Sequence, residues 1–248
     1  MALAPHIARS LALQRRIGRL ALPWVAGAGI FYLRVVRGNR VADIERVRRE
    51  FREIAREGRP LLICANHLTM IDSFFVHWAL ASPVDYFLHY RRFAWNVPAR
   101  ENFQRGVLLR LMSYLGKTVP IDRGGGVAHH RLVLSKLAHL LEEGDSVTIF
   151  PEAGRSRSGR VDPKRVASGV GQLLRDVPEA RVLCVYQRGA AQKSWGFQPA
   201  RGDVIHVFLE PFTPSSEHEG LRAARDYSEQ IILHLQAMEE RFFRDRET

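Results

Sequence analysis

The chain has 248 residues, of which 46% are hydrophobic and 25% are charged, the balance of a globular protein with one large domain or two small ones. Its two cysteines, Cys64 and Cys184, stand in apolar runs, so we expect buried thiols and exclude a disulfide framework or a cysteine metal site. The net charge of +11 suits nucleic acid or an anionic membrane, but no zinc-finger or RNA-recognition motif accompanies it, and we expect no nucleic-acid binding.

Positive charge is concentrated at the start of the chain. Residues 1–42 contain seven arginines and no acid, and they include an uncharged run over 20–33. This run is shorter than the ~20 residues that span a bilayer, and it contains Pro23 and aromatic residues suited to a membrane interface. A buried core helix and a signal peptide are the alternatives. We predict that residues 1–42 form a basic, apolar, membrane-associating segment with helices at the membrane surface, followed by one domain over 43–248.

Helical and strand-like patterns alternate along the chain. Apolar residues three or four apart predict helices over 6–20, 43–57, 127–143, 164–176 and 217–245. Short apolar runs bounded by turn residues predict strands over 61–65, 84–90, 146–150, 181–186 and 204–209, with a short extended piece at 119–123. The alternation predicts an α/β fold, with a mixed, largely parallel sheet flanked by helices.

His67 follows the first of these buried strands, and a helical pattern begins at Met70. In open α/β sheets, ligands bind outside the carboxyl ends of the strands. Asp72 stands five residues after His67, so a turn would bring a carboxylate to the imidazole and prepare it to take a proton from a hydroxyl. The alternative is that His67 caps a helix and Asp72 balances the helix dipole. The spacing alone is compatible with both.

Charged and hydroxyl side chains also follow the strand predicted over 146–150. The loop over 151–158 contains one carboxylate, two arginines and two serines. Arginine suits phosphate recognition, and glycine lets a ligand approach the backbone closely. Taken alone, the loop is slightly more typical of a solvated surface than of a binding site. Arg123 is another arginine at an apparent strand end.

In this order, the three stretches resemble the motifs of the glycerolipid acyltransferase family, which includes the lysophosphatidic acid acyltransferases. The stretches are Asn66-His67-x4-Asp72, Pro120-Ile121-Asp122-Arg123 and Phe150-Pro151-Glu152-x-x-Arg155-Ser156. The resemblance covers about residues 60–190. It implies that the domain over 43–248 is a single α/β acyltransferase domain.

The resemblance also implies roles for individual residues. His67 matches the general base that deprotonates the acceptor hydroxyl, and Asp72 matches the acid that orients it. Residues of the second and third stretches match positions that bind the acceptor substrate: Arg123, Glu152, Gly154, Arg155 and Ser156. The hydroxyl would attack the thioester of acyl-CoA or acyl-carrier protein, with no covalent acyl-enzyme, no metal and no cofactor beyond this co-substrate.

The expected partners are therefore a membrane lipid surface, a lysolipid acceptor and an acyl-CoA or acyl-carrier-protein donor. The expected activity is that of a 1-acylglycerol-3-phosphate O-acyltransferase, which forms phosphatidate or a related lipid. The expected location is the cytoplasmic face of the inner or cell membrane, in a peripheral or monotopic arrangement.

Departures from the family pattern leave other acceptors open. The family usually has Ser where Thr69 stands and Gly-Thr where Ala153-Gly154 stands, and Gly116 is one residue farther from the second motif than is usual. The acceptor could instead be a lyso-ornithine lipid or a specialised acyl lipid. A hydrolase is disfavoured because no Gly-x-Ser-x-Gly motif occurs. A non-catalytic lipid-binding protein is disfavoured by the intact His67 and Asp72.

Overall fold

The computed structural model describes residues 3–103 and 106–247. The helices are α1 (Pro5–Phe31), α2 (Ile44–Ala55), α3 (Asp72–Leu80), α4 (Pro83–Leu88), α5 (Arg100–Phe103), α6 (Val107–Leu115), α7 (Val127–Glu142), α8 (Gly169–Asp176) and α9 (Gly220–Glu247). A π-helical turn, Tyr32–Val36, continues α1, and a 3-10 turn, Tyr90–Arg92, follows α4. The strands are β1 (Arg40–Val41), β2 (Leu61–Ala65), β3 (Trp95–Asn96), β4 (Val147–Ile149), β5 (Arg181–Gly189) and β6 (Val204–Phe212).

These strands form one six-stranded sheet in the order β1-β6-β5-β2-β4-β3. β5 and β6 are antiparallel, and the other neighbouring strands are parallel. β2 lies inside the sheet between β5 and β4, and all five of its residues are buried. The expectation of a mixed, largely parallel sheet flanked by helices is confirmed.

The sheet separates two hydrophobic cores, because successive residues of a strand point to opposite faces. Leu62 and Cys64 of β2 join the core that is completed by α7, α8 and α9. Leu61, Ile63 and Ala65 join the core that is completed by α2, α3 and α1. Both cysteines are buried, free thiols, and burial raises the pKa of each. The expected α/β/α layering therefore follows directly from the apolar pattern of the central strands.

The N-terminal helix is longer than its sequence pattern suggests. The helix predicted over 6–20 continues through Pro23 to Phe31, where the π-helical turn extends it. The stretch Pro5–Val36 is long and apolar enough to cross a membrane by length and composition. One face of it is buried against the rest of the protein through Leu11, Leu22 and Leu33. An apolar N-terminal helix is thus present, while the membrane-associating role of residues 1–42 stays a prediction.

One predicted strand is wrong. Residues 84–90 form α4 and the start of a 3-10 turn instead of a strand. Ser82 accepts a hydrogen bond from the Asp85 N–H, and the Asp85 carboxylate accepts one from the Ser82 N–H, so the two residues form a capping box. Pro83 at the first turn favours the helix as well. The buried Tyr86 and Tyr90 are four residues apart, which is the spacing of a helix and its continuation, not of a strand.

Candidate active site

The end of β2 is fixed by Asn66, the residue directly before His67. The Asn66 amide donates to the Gln187 carbonyl at 3.0 Å, and the Asn66 side-chain oxygen accepts the Gln187 N–H at 2.8 Å. Asn66 is completely buried. A pair of buried hydrogen bonds of this kind orients the backbone strongly. His67 therefore leaves the sheet at a fixed position at the carboxyl end of β2.

Asp72, the first residue of α3, holds the imidazole of His67. Asp72 Oδ2 lies 3.1 Å from His67 Nδ1. The same oxygen accepts the backbone N–H groups of Leu68 and Thr69 at 2.5 and 2.7 Å. Asp72 Oδ1 accepts the Thr69 hydroxyl at 2.5 Å. The turn between His67 and α3 thus fixes the carboxylate, and the carboxylate fixes the ring with Nδ1 as donor and Nε2 left for a substrate.

Phe150 covers one face of this imidazole. The two rings are stacked, with centroids 4.2 Å apart and planes inclined by 22°. The His67 side chain is 15% exposed and Asp72 is buried. The ring is therefore packed on one side, bonded at one nitrogen and still reachable from solvent. This arrangement suits a general base that acts on a bound hydroxyl.

Glu152, from the predicted acceptor loop, binds the backbone of His67. Its Oε1 accepts the His67 N–H at 3.0 Å, and Ser156 N–H donates to the His67 carbonyl at 2.8 Å. Glu152 is buried, and its Oε2 makes no hydrogen bond within the described part of the chain. Burial raises the pKa of Glu152 to about 7. The first and third sequence motifs therefore meet at the backbone of His67.

Two guanidinium groups converge on Gly154, two residues after Glu152. A methyl group placed on Gly154 would lie 3.4 Å from Arg165 Nη2 and 3.8 Å from Arg123 Nη2. Arg123 also forms an ion pair at 3.6 Å with Glu101 on the exposed surface. Two arginine side chains that converge in this way provide the positive charge to hold a phosphate-like anion. The sequence does not single out Arg165, because its pattern predicts a helix over 164–176 that in fact begins at Gly169.

Arg155 faces a different part of the molecule. Its Nη1 donates to the Gly196 carbonyl at 3.0 Å, and its guanidinium lies over the Trp195 ring at 4.7 Å from the centroid. Ser156 is buried, and its hydroxyl bonds to the Arg160 carbonyl and to Ser158. The contacts of Arg155 and Ser156 therefore stabilise the loop and its neighbour, and their predicted role in binding the acceptor stays a prediction.

The loop around Trp195 lies directly against the His67 motif. Gly196 N–H donates to the Leu68 carbonyl and Met70 N–H donates to the Phe197 carbonyl, both at 3.0 Å. Trp195 and Phe197 are exposed. This loop was not among the predicted site residues, although two aromatic residues that flank a glycine between two strands are a usable signal in the sequence. Exposed aromatic side chains beside a candidate base suit contact with an apolar substrate chain.

Six of the seven predicted site residues fall into two groups, and the seventh, Arg155, contacts Trp195 and Gly196 instead. His67, Asp72, Glu152 and Ser156 share one hydrogen-bonded network, and Arg123 and Gly154 lie together beside it. In the ranges 3–103 and 106–247, no cluster of three or more His, Cys, Asp or Glu residues is arranged to hold a metal ion. The assignment of a catalytic or binding role to each residue stays a prediction.

The site thus combines an imidazole held by a carboxylate, at the carboxyl edge of a mixed sheet, with two arginines nearby. This combination is typical of an enzyme that transfers a group to a hydroxyl. A family model described as Acyltransferase matches residues 41–187. The match covers more than half of the chain, and the protein belongs to the glycerolipid acyltransferase family. No curated protein matches the chain significantly. The family resemblance expected from the sequence is confirmed, and with it a general acyltransferase function.

Proposed function

We propose that this acyltransferase moves an acyl chain from acyl-CoA or acyl-carrier protein to the hydroxyl of a lysophospholipid acceptor resembling lysophosphatidate. The observation that carries the proposal is the combination of the His67–Asp72 pair with the two arginines at Gly154. The first can activate a hydroxyl and the second can hold a phosphate. The product would be phosphatidate or a related lipid, formed at the cytoplasmic surface of a membrane.

The proposed chemistry uses one base and no covalent enzyme intermediate. Nε2 of His67 takes the proton of the acceptor hydroxyl as its oxygen attacks the thioester carbonyl. Asp72 stabilises the resulting imidazolium through Nδ1. The carbon–sulfur bond then breaks, and the leaving thiolate takes the proton back from Nε2. The acceptor gains the acyl group, and the donor leaves as a free thiol.

The arginines would position the acceptor for this step. A phosphate between Arg123 and Arg165 would be held near Glu152, which binds the backbone of His67. Anchoring a remote part of the acceptor in this way converts binding energy into correct orientation of its hydroxyl.

The proposal is tested with purified Arg165→Ala and Arg123→Ala variants. We expect each variant to raise the KM for a phosphate-bearing lysolipid by roughly tenfold or more, and to leave the KM of the acyl donor nearly unchanged. Arg157→Ala is the matched control, because Arg157 is an exposed arginine of the same loop. Equal effects on both substrates would contradict a role in head-group binding.

A panel of acceptors decides between head groups. Lysophosphatidate, a neutral monoacylglycerol and a lyso-ornithine lipid are offered with both acyl-CoA and acyl-carrier protein. Preference for lysophosphatidate that disappears in Arg165→Ala supports the proposal. Transfer only to the lyso-ornithine lipid would keep the acyl-transfer mechanism and replace the acceptor.

A further inference from the structure

Helix α6 exposes an unusually large apolar surface. Five of its nine residues are exposed and apolar, and Val107 and Leu108 are 74% and 70% exposed. Ser113 is buried in this helix, whereas apolar residues form the buried face of an ordinary surface helix. The exposed apolar residues are Val107, Leu108, Leu109, Leu111 and Met112. A contiguous patch of this kind in a folded protein marks an interaction site.

Helix α1 exposes a second apolar surface along its outer side. Leu20 and Trp24 are 71% and 80% exposed. At 100° per residue, most exposed apolar residues of α1 and its π-helical extension lie on one narrow stripe, and the exposed Tyr32 and Val36 lie outside it. The members of this stripe are Leu13, Ile17, Leu20, Trp24, Phe31 and Val35. The buried residues Leu11, Gly18 and Leu22 lie on the opposite side, so α1 is apolar on both faces.

The two helices pack against each other, which makes their exposed faces neighbours. Gln14 of α1 is buried and donates to the carbonyls of Tyr114 and Thr118, at 2.9 and 3.1 Å. A methyl group on Gly18 would lie 3.1 Å from the Leu115 carbonyl oxygen, so the backbones approach closely there. The outer stripe of α1 and the exposed residues of α6 together are called the α1–α6 surface.

The charge of these segments indicates what covers the surface. Residues 1–42 carry seven arginines and no acid, and residues 102–121 also contain no acid. Arg16, Arg19 and Arg110 are exposed on α1 and α6. An apolar face that carries exposed arginines complements the interface of an anionic bilayer, where the apolar residues enter the acyl region and the arginines meet the head groups.

We infer that α6 is a second membrane-inserting element, and that the α1–α6 surface seats the protein on an anionic lipid bilayer with α1 lying in the plane of the interface. The inner face of α1 is packed against the protein at Leu11, Leu22 and Leu33, so in this fold the helix is a part of the domain, as expected of a helix that lies in the interface plane. This inference rests on the proposed function for its link to a lipid acceptor.

The chain connects α6 to the proposed head-group site. After α6, Thr118 and Ile121 form isolated bridges with Asn96 and Ala99, and Arg123 follows two residues later. Insertion of α6 would therefore place the bilayer interface one short segment from the arginine that we propose for the phosphate. A lysolipid would reach Arg123 without leaving the membrane surface.

The experiment measures binding of the full chain to sedimented vesicles. Vesicles of phosphatidylglycerol and phosphatidylcholine are compared with vesicles of phosphatidylcholine alone. The Leu108→Gln/Leu111→Gln variant is expected to partition at least about tenfold more weakly into anionic vesicles. Its thermal stability should stay close to that of the wild type, because both residues are exposed.

The matched control is Leu221→Gln/Leu233→Gln, which changes two equally exposed leucines of α9. It should bind vesicles as the wild type does. Equal binding of the α6 variant and the wild type would overturn the inference. So would wild-type self-association that the α6 variant abolishes while vesicle binding is unchanged, since a second copy of the chain would then cover the surface.

Measuring acyl transfer in detergent, beside vesicle binding, shows which of the two hypotheses fails if only one of them is correct. A wild type that binds vesicles through α6 but transfers no acyl group to any acceptor would refute the proposed function and keep the membrane surface. A wild type that acylates a lysolipid, with an α6 variant that still sediments fully with vesicles, would refute the membrane surface and keep the proposed function.

Discussion

Asp72 Oδ2 lies 3.1 Å from His67 Nδ1 and accepts two backbone N–H groups of the intervening turn. One carboxylate oxygen therefore fixes both the imidazole and the backbone that carries it. Its position at the first residue of α3 is also favourable for a negative charge, because the helix dipole is positive there. A single tight turn is thus enough to bring together two side chains that are five residues apart in the sequence.

Asp72→Asn should keep the fold and lose catalysis. An amide oxygen can replace Oδ2 as acceptor of the Leu68 and Thr69 N–H groups, but it cannot stabilise an imidazolium as a carboxylate does. We expect kcat for acyl transfer to fall by about 10²–10⁴, with a circular dichroism spectrum like that of the wild type.

The control for this variant is a second His–Asp pair. His218 Nδ1 lies 2.9 Å from Asp226 Oδ2 on the exposed surface at the start of α9. Asp226→Asn should leave kcat unchanged. Full activity of Asp72→Asn would contradict the role of Asp72 in supporting the base.

Glu152→Gln should stabilise the protein at alkaline pH. Burial and the nearby Glu239 raise the pKa of Glu152 to about 7, against the lowering effect of the hydrogen bond from the His67 N–H and of Arg165. Between about pH 4.5 and pH 7 the folded state holds a proton that the unfolded state releases, so the free energy of unfolding falls as pH rises through this window. The neutral amide of the Glu152→Gln variant avoids this loss.

The expected gain is on the order of 3 kcal/mol at pH 8 and small near pH 4.5, measured by urea unfolding at each pH. The amide oxygen of the variant can still accept the His67 N–H. Glu219→Gln, a change at an exposed glutamate, should show no pH-dependent difference. A constant difference between wild type and Glu152→Gln from about pH 4.5 to pH 8 would show that Glu152 is not titrating in this window.

Arg155→Ala should loosen the loop that carries Trp195. The change removes a hydrogen bond to the Gly196 carbonyl and a cation–π contact, each worth roughly 1 kcal/mol. We expect trypsin to cut after the exposed Lys193 about tenfold faster, detected by mass spectrometry of the fragments. Arg157→Ala should leave that rate unchanged.

The same variant also tests the prediction from the sequence. If Arg155→Ala leaves the cleavage rate unchanged but raises the KM of an anionic acceptor, then Arg155 binds the head group and does not stabilise this loop.

Two helical glycines should respond to alanine in opposite directions. A methyl group on Gly171 of α8 would overlap the Ala224 carbonyl oxygen of α9, so Gly171→Ala must push the two helices apart. We expect a loss of about 1–3 kcal/mol in unfolding free energy. A methyl group on Gly27 of α1 would meet no other atom within 4 Å, so Gly27→Ala should raise the free energy of unfolding by about 0.5–1 kcal/mol. Equal stability of the two variants would contradict the close packing of α8 on α9.

The sequence predicts most of the fold because the central strands are buried on both faces and are continuously apolar. It fails at 84–90, where the apolar run predicts a strand although Asp85 forms a capping box with Ser82 that starts a helix. The sequence pattern also ends the first helix too early. Pro23 interrupts the helical pattern, but in the structure it is an exposed residue inside α1, and the helix continues past it.

In the candidate site, the sequence predicts a contact only where the two residues are close together in the chain. His67 and Asp72 are five residues apart and meet through one turn, so their pairing was predictable. Arg165 and Arg123 both lie near Gly154, and Arg155 lies over the Trp195 ring. Each of these contacts joins loops that are distant in the sequence and come together only in the folded protein. Periodicity carries no information about such long-range contacts.

The role of His67 is tested by transfer of a labelled acyl group from acyl-CoA or acyl-carrier protein to lysophosphatidate. The assay compares the wild type with His67→Ala and with the control His218→Ala, after all three have been shown to be folded. We predict product from the wild type and from His218→Ala, and none above background from His67→Ala. Turnover by His67→Ala close to that of the wild type would contradict the assignment of His67 as the general base.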